Sequence, residues 1–437
     1  MIWVHLVVVL AAIFLGARLG GIAIGFAGGL GVLVLALLGL TPGDMPLDVI
    51  SIIMAVICAI AAMQVAGGMD YLVDVAERIL RRNPKHLNFL APIITYLMTL
   101  MAGTGHTAFS TMPVITEVAK ENDIRPSRPL SIAVVASQIA ITASPISAAV
   151  VFFSSVLEPL GVGYLDLLAV AIPSTFIACM LVALVMTIID RANPNSPLSQ
   201  DPVYQDRLAR GVVTLRGEER RELAPHARSS VLVFLLGLVA VMGYATAISD
   251  KVGLIKDPVM GRDQAIIAFM LTIAAVTVLL ARSAPSDILT ASTFKSGMSA
   301  AICVLGVAWL GTTFVQAYTD DIKGVAGQLL ADYPWMLAVV LFFAAALLYS
   351  QAATTKALMP TALALGVAPL AAVAAFPAVS ALFVLPTYPT LLAAVEMDDT
   401  GSTRIGKAVF NHAFLVPGIL TISFAVILGF LFGSLVI

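Results

Sequence analysis

Charged residues and cysteines are both scarce in this sequence of 437 residues. Only 11% of its side chains are charged and 60% are hydrophobic, whereas soluble domains carry about 25% charged residues. The low charge therefore excludes a soluble globular protein. Cys58, Cys179 and Cys303 lie far apart in apolar segments. This spacing indicates neither a disulfide framework nor a metal site.

The sequence also lacks the short motifs of nucleotide-driven pumps and of hydrolases. It has no glycine-rich phosphate loop, no cluster of metal ligands and no nucleophile elbow. Its 24 Lys and Arg residues nearly balance 26 Asp and Glu residues, so net charge does not indicate a nucleic-acid partner. We therefore predict no enzymatic activity, cofactor, metal or nucleic acid.

Long apolar runs recur along the whole sequence, and the mean hydropathy is +1.00. Because a bilayer core of about 30 Å takes roughly 20 apolar residues to cross, the runs predict an all-helical, multi-pass membrane protein. The predicted crossings are residues 2–16, 21–40, 47–67, 130–156, 164–189, 230–248, 264–281, 299–317, 373–395 and 406–436. Two further stretches, 88–118 and 334–371, are interrupted by polar residues and are predicted to be re-entrant hairpins.

The basic residues predict the orientation of these segments. If the polar segment 190–229 is cytoplasmic, most of the 24 Lys and Arg residues also fall on the cytoplasmic side, as in membrane proteins generally. Both termini are then extracytoplasmic. The exceptions are Lys356, within the membrane, and the extracytoplasmic Lys251, Lys256, Arg262 and Lys323.

The two halves of the chain have the same predicted order of elements. Each half has five crossings and a hairpin after the third, and a proline follows each hairpin break at the same distance. Because five is odd, the second half enters from the opposite side. We predict inverted repeats, 1–189 and 230–437, joined by the cytoplasmic linker 190–229. Such repeats with helices broken at the midplane are typical of secondary transporters.

Four polar breaks interrupt the apolar segments. They are GTGHT at 103–107, TASPIS at 142–147, SQAATTK at 350–356 and LPTYPT at 385–390. Unpaired backbone groups in hydrocarbon cost several kcal/mol each, so breaks persist only where protein buries them or where they line a water-filled cavity. Four breaks in equivalent places predict one shared cavity.

Helices that start at the hairpin breaks, near Thr107 and Thr354, would direct the positive ends of their dipoles into this cavity. Two such ends, facing each other across a pseudo-two-fold axis, favour a small dianion with a carboxylate at each end. The predicted substrate-binding residues flank the breaks and are Thr104, Gly105, His106, Thr107, Ser144, Pro145, Ser147, Thr354, Thr355, Lys356, Thr387, Tyr388 and Thr390.

Several of these residues also have a purely structural explanation. Lys356 is a functional candidate because an ammonium within the membrane is costly, but it could instead snorkel to an interface. His106 could bind substrate, carry a proton or only brace the hairpin tip. Tyr388 could pack or bind, and hydroxyls in membrane helices commonly bond to their own helix.

A second group of residues is charged and lies on the predicted cytoplasmic side. Glu77 and Arg81 are spaced i, i+4 on a predicted surface helix, and Arg125 lies in the segment NDIRPSRP. Most such charges are solvated, although these three could form a gating or structural ion pair.

Five segments together resemble those of one family. They are GARLGGIAIGFAGGLGVLVL, ERILRRNPKH, AGTGHTAFSTMPVI, ENDIRPSRPLS and ITASPISAAVV. They are similar to the anaerobic C4-dicarboxylate transporters of the Dcu A/B type, in the ion transporter superfamily. The resemblance runs the whole length of the chain and is densest in the first half.

The resemblance implies a carrier in the bacterial inner membrane that takes up or exchanges fumarate, succinate, malate or aspartate. It also implies an elevator mechanism, in which the hairpins and broken helices move past a scaffold within a homodimer. The alternatives are a carrier for another small organic anion and a co-sensor partner of a membrane sensor kinase. Sodium-coupled relatives carry Ser-Asn-Thr at the hairpin tips, and the different tips here favour antiport or proton coupling.

Overall fold

The computed structural model consists of helices and loops, with isolated β-bridges, over the part of the chain that it describes. It describes residues 1–437 except 20–21, 46, 193–196, 214–222, 249–253, 319–331, 386–387 and 407–409. The first half contains α1 (Ile2–Leu19), α2 (Ala23–Leu37), α3 (Leu47–Val65), α4 (Gly68–Arg82), α5 (Leu87–Ala102), α6 (Ala108–Glu121), α7 (Ser127–Ile139), α8 (Ala148–Leu157) and α9 (Tyr164–Ala192).

A short helix in the linker, α10 (Pro202–Ala209), precedes the second half. The described helices of the second half are α11 (Ala227–Ala247), α12 (Arg262–Ala281), α13 (Pro285–Thr290), α14 (Ser292–Ala317), α15 (Met336–Leu348), α16 (Gln351–Ala364), α17 (Pro369–Ala375), α18 (Pro389–Met397) and α19 (Leu415–Val436). A 3₁₀ segment, Phe376–Phe383, continues α17.

Helix length and apolar character support fewer membrane spans than the ten predicted crossings. Within the described residues, 5 helices are long and apolar enough to cross a membrane, or 6 if α3 and α4, which are bent by 72°, count as one broken span. The five are Ser127–Leu160, Tyr164–Asp190, Ala227–Ala247, Arg262–Ala281 and Leu415–Val436. The first of these counts α7 and α8 as one span. Other predicted crossings correspond to shorter apolar helices, such as Ile2–Gly16 and Gly25–Leu37.

Glycines allow α2 and α14 to pack with their backbones in contact. A Cβ atom at Gly306 would lie 1.9 Å from the carbonyl oxygen of Gly25, and one at Gly28 would lie 2.4 Å from the carbonyl carbon of Gly306. Membrane helices use such small residues for close approach. This contact joins the first half of the chain to the second.

Several pairs of packed helices in the first half have a counterpart pair in the second half. α2 packs along α14, and α3 packs along α12. α1 packs on α2 as α11 packs on α12, and α5 packs on α7 as α15 packs on the 3₁₀ segment after α17. α9 and α19 pack against each other. The surrounding helices bury every α7 residue from Pro129 to Ile139, so the α7–α8 break lies deep in the molecule.

Candidate functional site

The first break separates α5 from α6 at the predicted place. α5 ends where Gly103 adopts a φ of +66°, and the Gly103 N–H donates to the Thr99 carbonyl at 2.8 Å. A Cβ atom at Gly103 would lie 3.1 Å from Ile146 Cγ1. Glycine therefore permits both the turn and the close approach of this tip to the α7–α8 break.

Thr107 braces the tip between α5 and α6. Its buried hydroxyl donates to the Thr104 carbonyl at 3.2 Å and hydrogen-bonds the Thr99 hydroxyl at 2.8 Å. Gly105, His106 and Thr107 form a 3₁₀ turn. The side chain of His106 lies outside the described part of the structure, so its binding role stays a prediction.

The α7–α8 break contacts the first hairpin directly. α7 continues as the 3₁₀ segment Ala140–Ala143, and the chain then becomes extended at Ser144. The Ser144 hydroxyl donates to the Leu100 carbonyl at 2.7 Å. The end of α5 and the α7–α8 break are therefore held together by a partly buried hydrogen bond.

Ser147 and Pro145 complete this break with structural hydrogen bonds. Ser147 caps α8 by accepting from the Val150 N–H at 3.2 Å, and its hydroxyl donates to the Ile141 carbonyl at 2.7 Å. The Pro145 carbonyl accepts from the hydroxyl of Tyr164. These predicted binding residues thus also form the break.

The break in the second hairpin lies earlier than predicted. Tyr349 has a φ of +53° and ends α15, and Ser350 caps α16 by accepting from the Ala353 N–H at 3.1 Å. α16 therefore begins at Gln351, and the expectation of a helix start near Thr354 is wrong. A left-handed residue followed by a serine cap is sufficient to interrupt the helix.

Thr354 and Thr355 consequently lie within α16. Their hydroxyls donate to the carbonyls of Ser350 and Gln351, at 2.8 and 2.7 Å. Both threonines are buried. Hydroxyls that bond to the carbonyl four residues earlier are compatible with a continuous helix, which explains why this polar run does not break it.

Lys356 follows these threonines and reaches across to the first half of the chain. Its Nζ atom lies 5.4 Å from the ring centroid of Phe152, which is on α8. An aromatic face stabilises a cation in a partly desolvated place. The contact places the Lys356 ammonium between α16 and α8.

The fourth break, between the 3₁₀ segment and α18, contacts the break in the second hairpin. Tyr388 stacks on Tyr349 with ring centroids 6.0 Å apart and an interplanar angle of 24°. Thr390, in the first turn of α18, accepts from the Gln138 side chain at 3.2 Å. Thr387 lies outside the described residues, so its assignment stays a prediction.

Gln138 is a residue at this site that the sequence analysis missed. It lies in α7, with 1% of its surface exposed. Its Nε2 atom donates to Thr390, and its backbone carbonyl accepts from Gln351 Nε2 at 3.1 Å. Its Oε1 atom has no hydrogen-bond partner among the described residues. A glutamine inside an apolar helix four residues before a break was the available signal.

The contacts link the break before α8 to the end of α5, and they link α7 to the starts of α16 and α18. Ser144 joins the first hairpin to the α7–α8 break, and Gln138 joins α7 to the first turns of α16 and α18. Helix starts carry unpaired N–H groups and the positive end of the helix dipole. With the Lys356 ammonium, this arrangement can bind an anion. Within the described residues, no group of three or more His, Cys, Asp and Glu side chains could hold a metal ion.

The three charged residues predicted to form ion pairs, Glu77, Arg81 and Arg125, lie near helix ends and not at the breaks. Arg81 Nε lies 2.7 Å from Glu77 Oε1, four residues earlier in α4, and Arg81 also pairs with Glu121 at the end of α6. Arg125 lies 3.6 Å from Asp201 in the linker. The Arg81–Glu121 contact therefore connects α4 to the first hairpin, and the Arg125–Asp201 contact connects the linker to the α6–α7 loop.

Comparison with known proteins now adds to this geometry. A family model described as "anaerobic C4-dicarboxylate membrane transporter" matches residues 1–437. This chain belongs to that family. It is 64% identical to the C4-dicarboxylate transporter DcuA of Wolinella succinogenes and 59% identical to that of Escherichia coli K12, covering 99% of each protein's length and 99% of its own.

A more distant relative and a solved structure agree with this assignment. The chain is 35% identical to the anaerobic C4-dicarboxylate transporter DcuB of Escherichia coli O6:H1, over 99% of its own length and 98% of the relative's. The Alcanivorax borkumensis YdaH transporter superposes with a TM-score of 0.54 at 16% identity, covering 87% of this chain and 84% of that one. The structural likeness indicates a shared transporter fold.

Proposed function

We propose that this chain is a secondary transporter of C4-dicarboxylates in a bacterial inner membrane. The observation that carries the proposal is the meeting of α16 and α18 at Gln138, in the helix that leads into the α7–α8 break. The names of relatives that are 54% to 64% identical over nearly the whole chain support this substrate class.

The substrate binds between helix starts contributed by the two halves. One carboxylate faces the starts of α6 and α8, and the other faces those of α16 and α18. Lys356 supplies a full positive charge, held beside Phe152. Because most described hydroxyls at the breaks already donate to backbone carbonyls, the backbone N–H groups of the helix starts are the main donors to the carboxylates.

Inverted repeats produce alternating access in this proposal. The repeats are 1–189 and 230–437, and the matching contacts of α2 with α14 and α3 with α12 support them. The re-entrant hairpins and broken helices move past a scaffold as an elevator, within a homodimer. The linker is cytoplasmic and both termini are extracytoplasmic, as the positive charges favour.

Transport operates by antiport or by proton coupling, with fumarate, succinate, malate and aspartate as the candidate substrates. His106 at the first hairpin tip is the candidate for carrying a proton, because its ordinary pKa is near neutrality. Regulation of a membrane sensor kinase stays a prediction from the family resemblance.

Competition in proteoliposomes that contain only the purified protein tests the two-ended site. We expect saturable succinate uptake that internal unlabelled succinate accelerates. Butyrate loses the hydrogen bonds of one carboxylate, each worth roughly 1.5 to 3 kcal/mol. With two bonds lost, the deficit of about 3 kcal/mol corresponds to more than a hundredfold weaker competition.

Malonate provides a control for the distance between the two helix ends. It keeps both carboxylates but is too short to reach both ends, so it should also compete poorly. Inhibition by butyrate or malonate within a few-fold of that by succinate would contradict the two-ended site. Absence of saturable flux would contradict the transport function itself.

A further inference from the structure

Arg262 forms a partly buried set of contacts between the two halves of the chain. It is the first residue of α12, and its side chain is only 9% exposed. Its Nη2 atom lies 2.9 Å from both carboxylate oxygens of Glu158, and its Nη1 atom donates to the Ser154 hydroxyl at 2.9 Å. Glu158 and Ser154 lie at the end of α8. One guanidinium therefore fixes the end of this half-helix.

The same side chain is linked to the α7–α8 break through an aromatic ring. The guanidinium carbon of Arg262 lies 5.2 Å from the ring centroid of Tyr164, the first residue of α9. The Tyr164 hydroxyl donates to the Pro145 carbonyl inside the break. Displacement of Arg262 would therefore loosen both ends of the segment that runs from Pro145 through α8.

These contacts differ from an ordinary surface ion pair. Exposed pairs contribute little because water screens them, whereas a nearly buried guanidinium depends on its carboxylate partner. α12 packs along α3 and α11. Arg262 therefore links these helices to the end of α8 and the start of α9. Since α8 starts at the candidate site and ends at Arg262, its position affects one side of the predicted cavity.

We propose that Arg262 is a positioning residue whose clasp on Glu158, Ser154 and Tyr164 closes the cavity on the side where α8 ends. The clasp opens whenever that side of the cavity opens. In the proposed topology this side is extracytoplasmic. The inference goes beyond the proposed function, because it concerns closure and holds whichever anion the protein carries.

Labelling of a single cysteine tests the clasp without any substrate. The reporter is Ala148→Cys, at the start of α8, in full-length protein whose three natural cysteines are replaced by serine. Its rate of reaction with a membrane-impermeant maleimide is measured in right-side-out vesicles. We expect Arg262→Gln and Glu158→Gln each to raise this rate about tenfold, because each removes the ion pair that holds the end of α8, and Glu158→Gln also leaves the nearly buried Arg262 charge without its partner.

Two further variants show whether the pair itself matters. Exchange of the charges, Glu158→Arg with Arg262→Glu, should restore slow labelling. Arg210→Gln is the matched control, because it removes an exposed i, i+4 pair with Asp206 and should leave the rate unchanged. If Arg262→Gln fails to fold, Ser154→Ala and Tyr164→Phe each remove one contact while keeping the ion pair, and both should raise the rate.

An unchanged labelling rate in folded Arg262→Gln or Glu158→Gln protein would overturn the proposal. So would a charge-exchanged protein that labels as fast as the single variants. Failure of the proposed function is a separate result, because loss of dicarboxylate competition in proteoliposomes does not alter the accessibility of Ala148→Cys in vesicles.

Discussion

At the scale of single residues, most polar side chains at the breaks serve the backbone. The described hydroxyls of Thr107, Ser144, Thr354 and Thr355 all donate to carbonyl oxygens. The Ser144 bond ties the α7–α8 break to the end of α5, whereas Thr354 and Thr355 bond back to carbonyls of their own helix turn. Binding an anion is therefore assigned to the helix N–H groups and to Lys356.

We predict that Lys356→Met abolishes saturable succinate uptake while the protein stays in the membrane. The substitution removes a full positive charge and leaves an apolar side chain of similar length against Phe152. Lys356→Arg should not restore full uptake, because a planar guanidinium does not replace a compact ammonium. Lys85→Met, at an exposed position, is the control for loss of a lysine. Normal uptake by Lys356→Met would show that this lysine snorkels.

A pair of glycine substitutions separates backbone strain from close packing. Gly103 and Gly161 have φ values of +66° and +84°, but a Cβ atom would meet Ile146 only at Gly103, since nothing lies within 4 Å of one at Gly161. Alanine should cost about 1 to 2 kcal/mol at either position through its left-handed backbone. We expect Gly103→Ala alone also to reduce maximal uptake, measured together with thermal stability. Equal uptake by both variants would contradict a close contact at the hairpin tip.

At the scale of the elements, helix ends and not helix lengths define the site. Ser147 caps α8 and Ser350 caps α16, and α18 begins just after the stacked Tyr388. Gln138 then joins α7 to two of these helix starts. Because the hydrogen bonds of Gln138 link segments that are far apart in the sequence, the positions of these helix starts depend on one another.

Substitutions of Thr390 and Gln138 test the hydrogen bond between α7 and α18. Thr390→Val leaves the buried Gln138 Nε2 atom without an acceptor, and we expect the free energy of unfolding to fall by about 1 to 3 kcal/mol. Adding Gln138→Met should recover part of this loss, because removing both partners leaves no unpaired group. Thermal denaturation of the parent, both single variants and the double variant measures the coupling. Additive losses would show that the two side chains do not interact.

At the scale of the whole molecule, the linker folds onto loops from both halves. Asp123, after α6, accepts from the N–H and hydroxyl of Ser199 at 2.6 and 2.9 Å. Arg207 in α10 donates to the Asp399 carbonyl, after α18, at 3.1 Å. Ser199 and Arg207 of the linker therefore lie on the same face of the molecule as the ends of α6 and α18.

The predicted orientation can be tested by labelling from each side of the membrane. A cysteine replacing Leu208 in the linker should react only from the cytoplasm, and one replacing Val259 should react only from outside. Both side chains are exposed, at 44% and 98%, so each is accessible to reagent. Labelling of the Leu208 position from outside would contradict the topology and, with it, the inverted-repeat argument.

Local patterns in the sequence determined the helical class, the breaks at 103–107 and 142–147, and the Glu77–Arg81 pair. Apolar runs, glycines, prolines and i, i+4 spacing act within a few residues of one another, so they can be read without the fold. The family resemblance was likewise readable from linear motifs. The exact start of α16 does not follow from the local pattern, because Tyr349 and Ser350 interrupt the chain before Thr354, where the sequence predicts the helix to start.

The tertiary structure alone decided which polar groups meet. Gln138 lies 252 residues before Thr390, and Arg262 lies 104 residues after Glu158, so no short pattern marks either pair. The structure also decided that hydroxyls predicted to face a substrate donate to nearby carbonyls. The Ser144 hydroxyl donates to the carbonyl of Leu100, 44 residues earlier, and only the packing of the helices brings these two groups within hydrogen-bond distance.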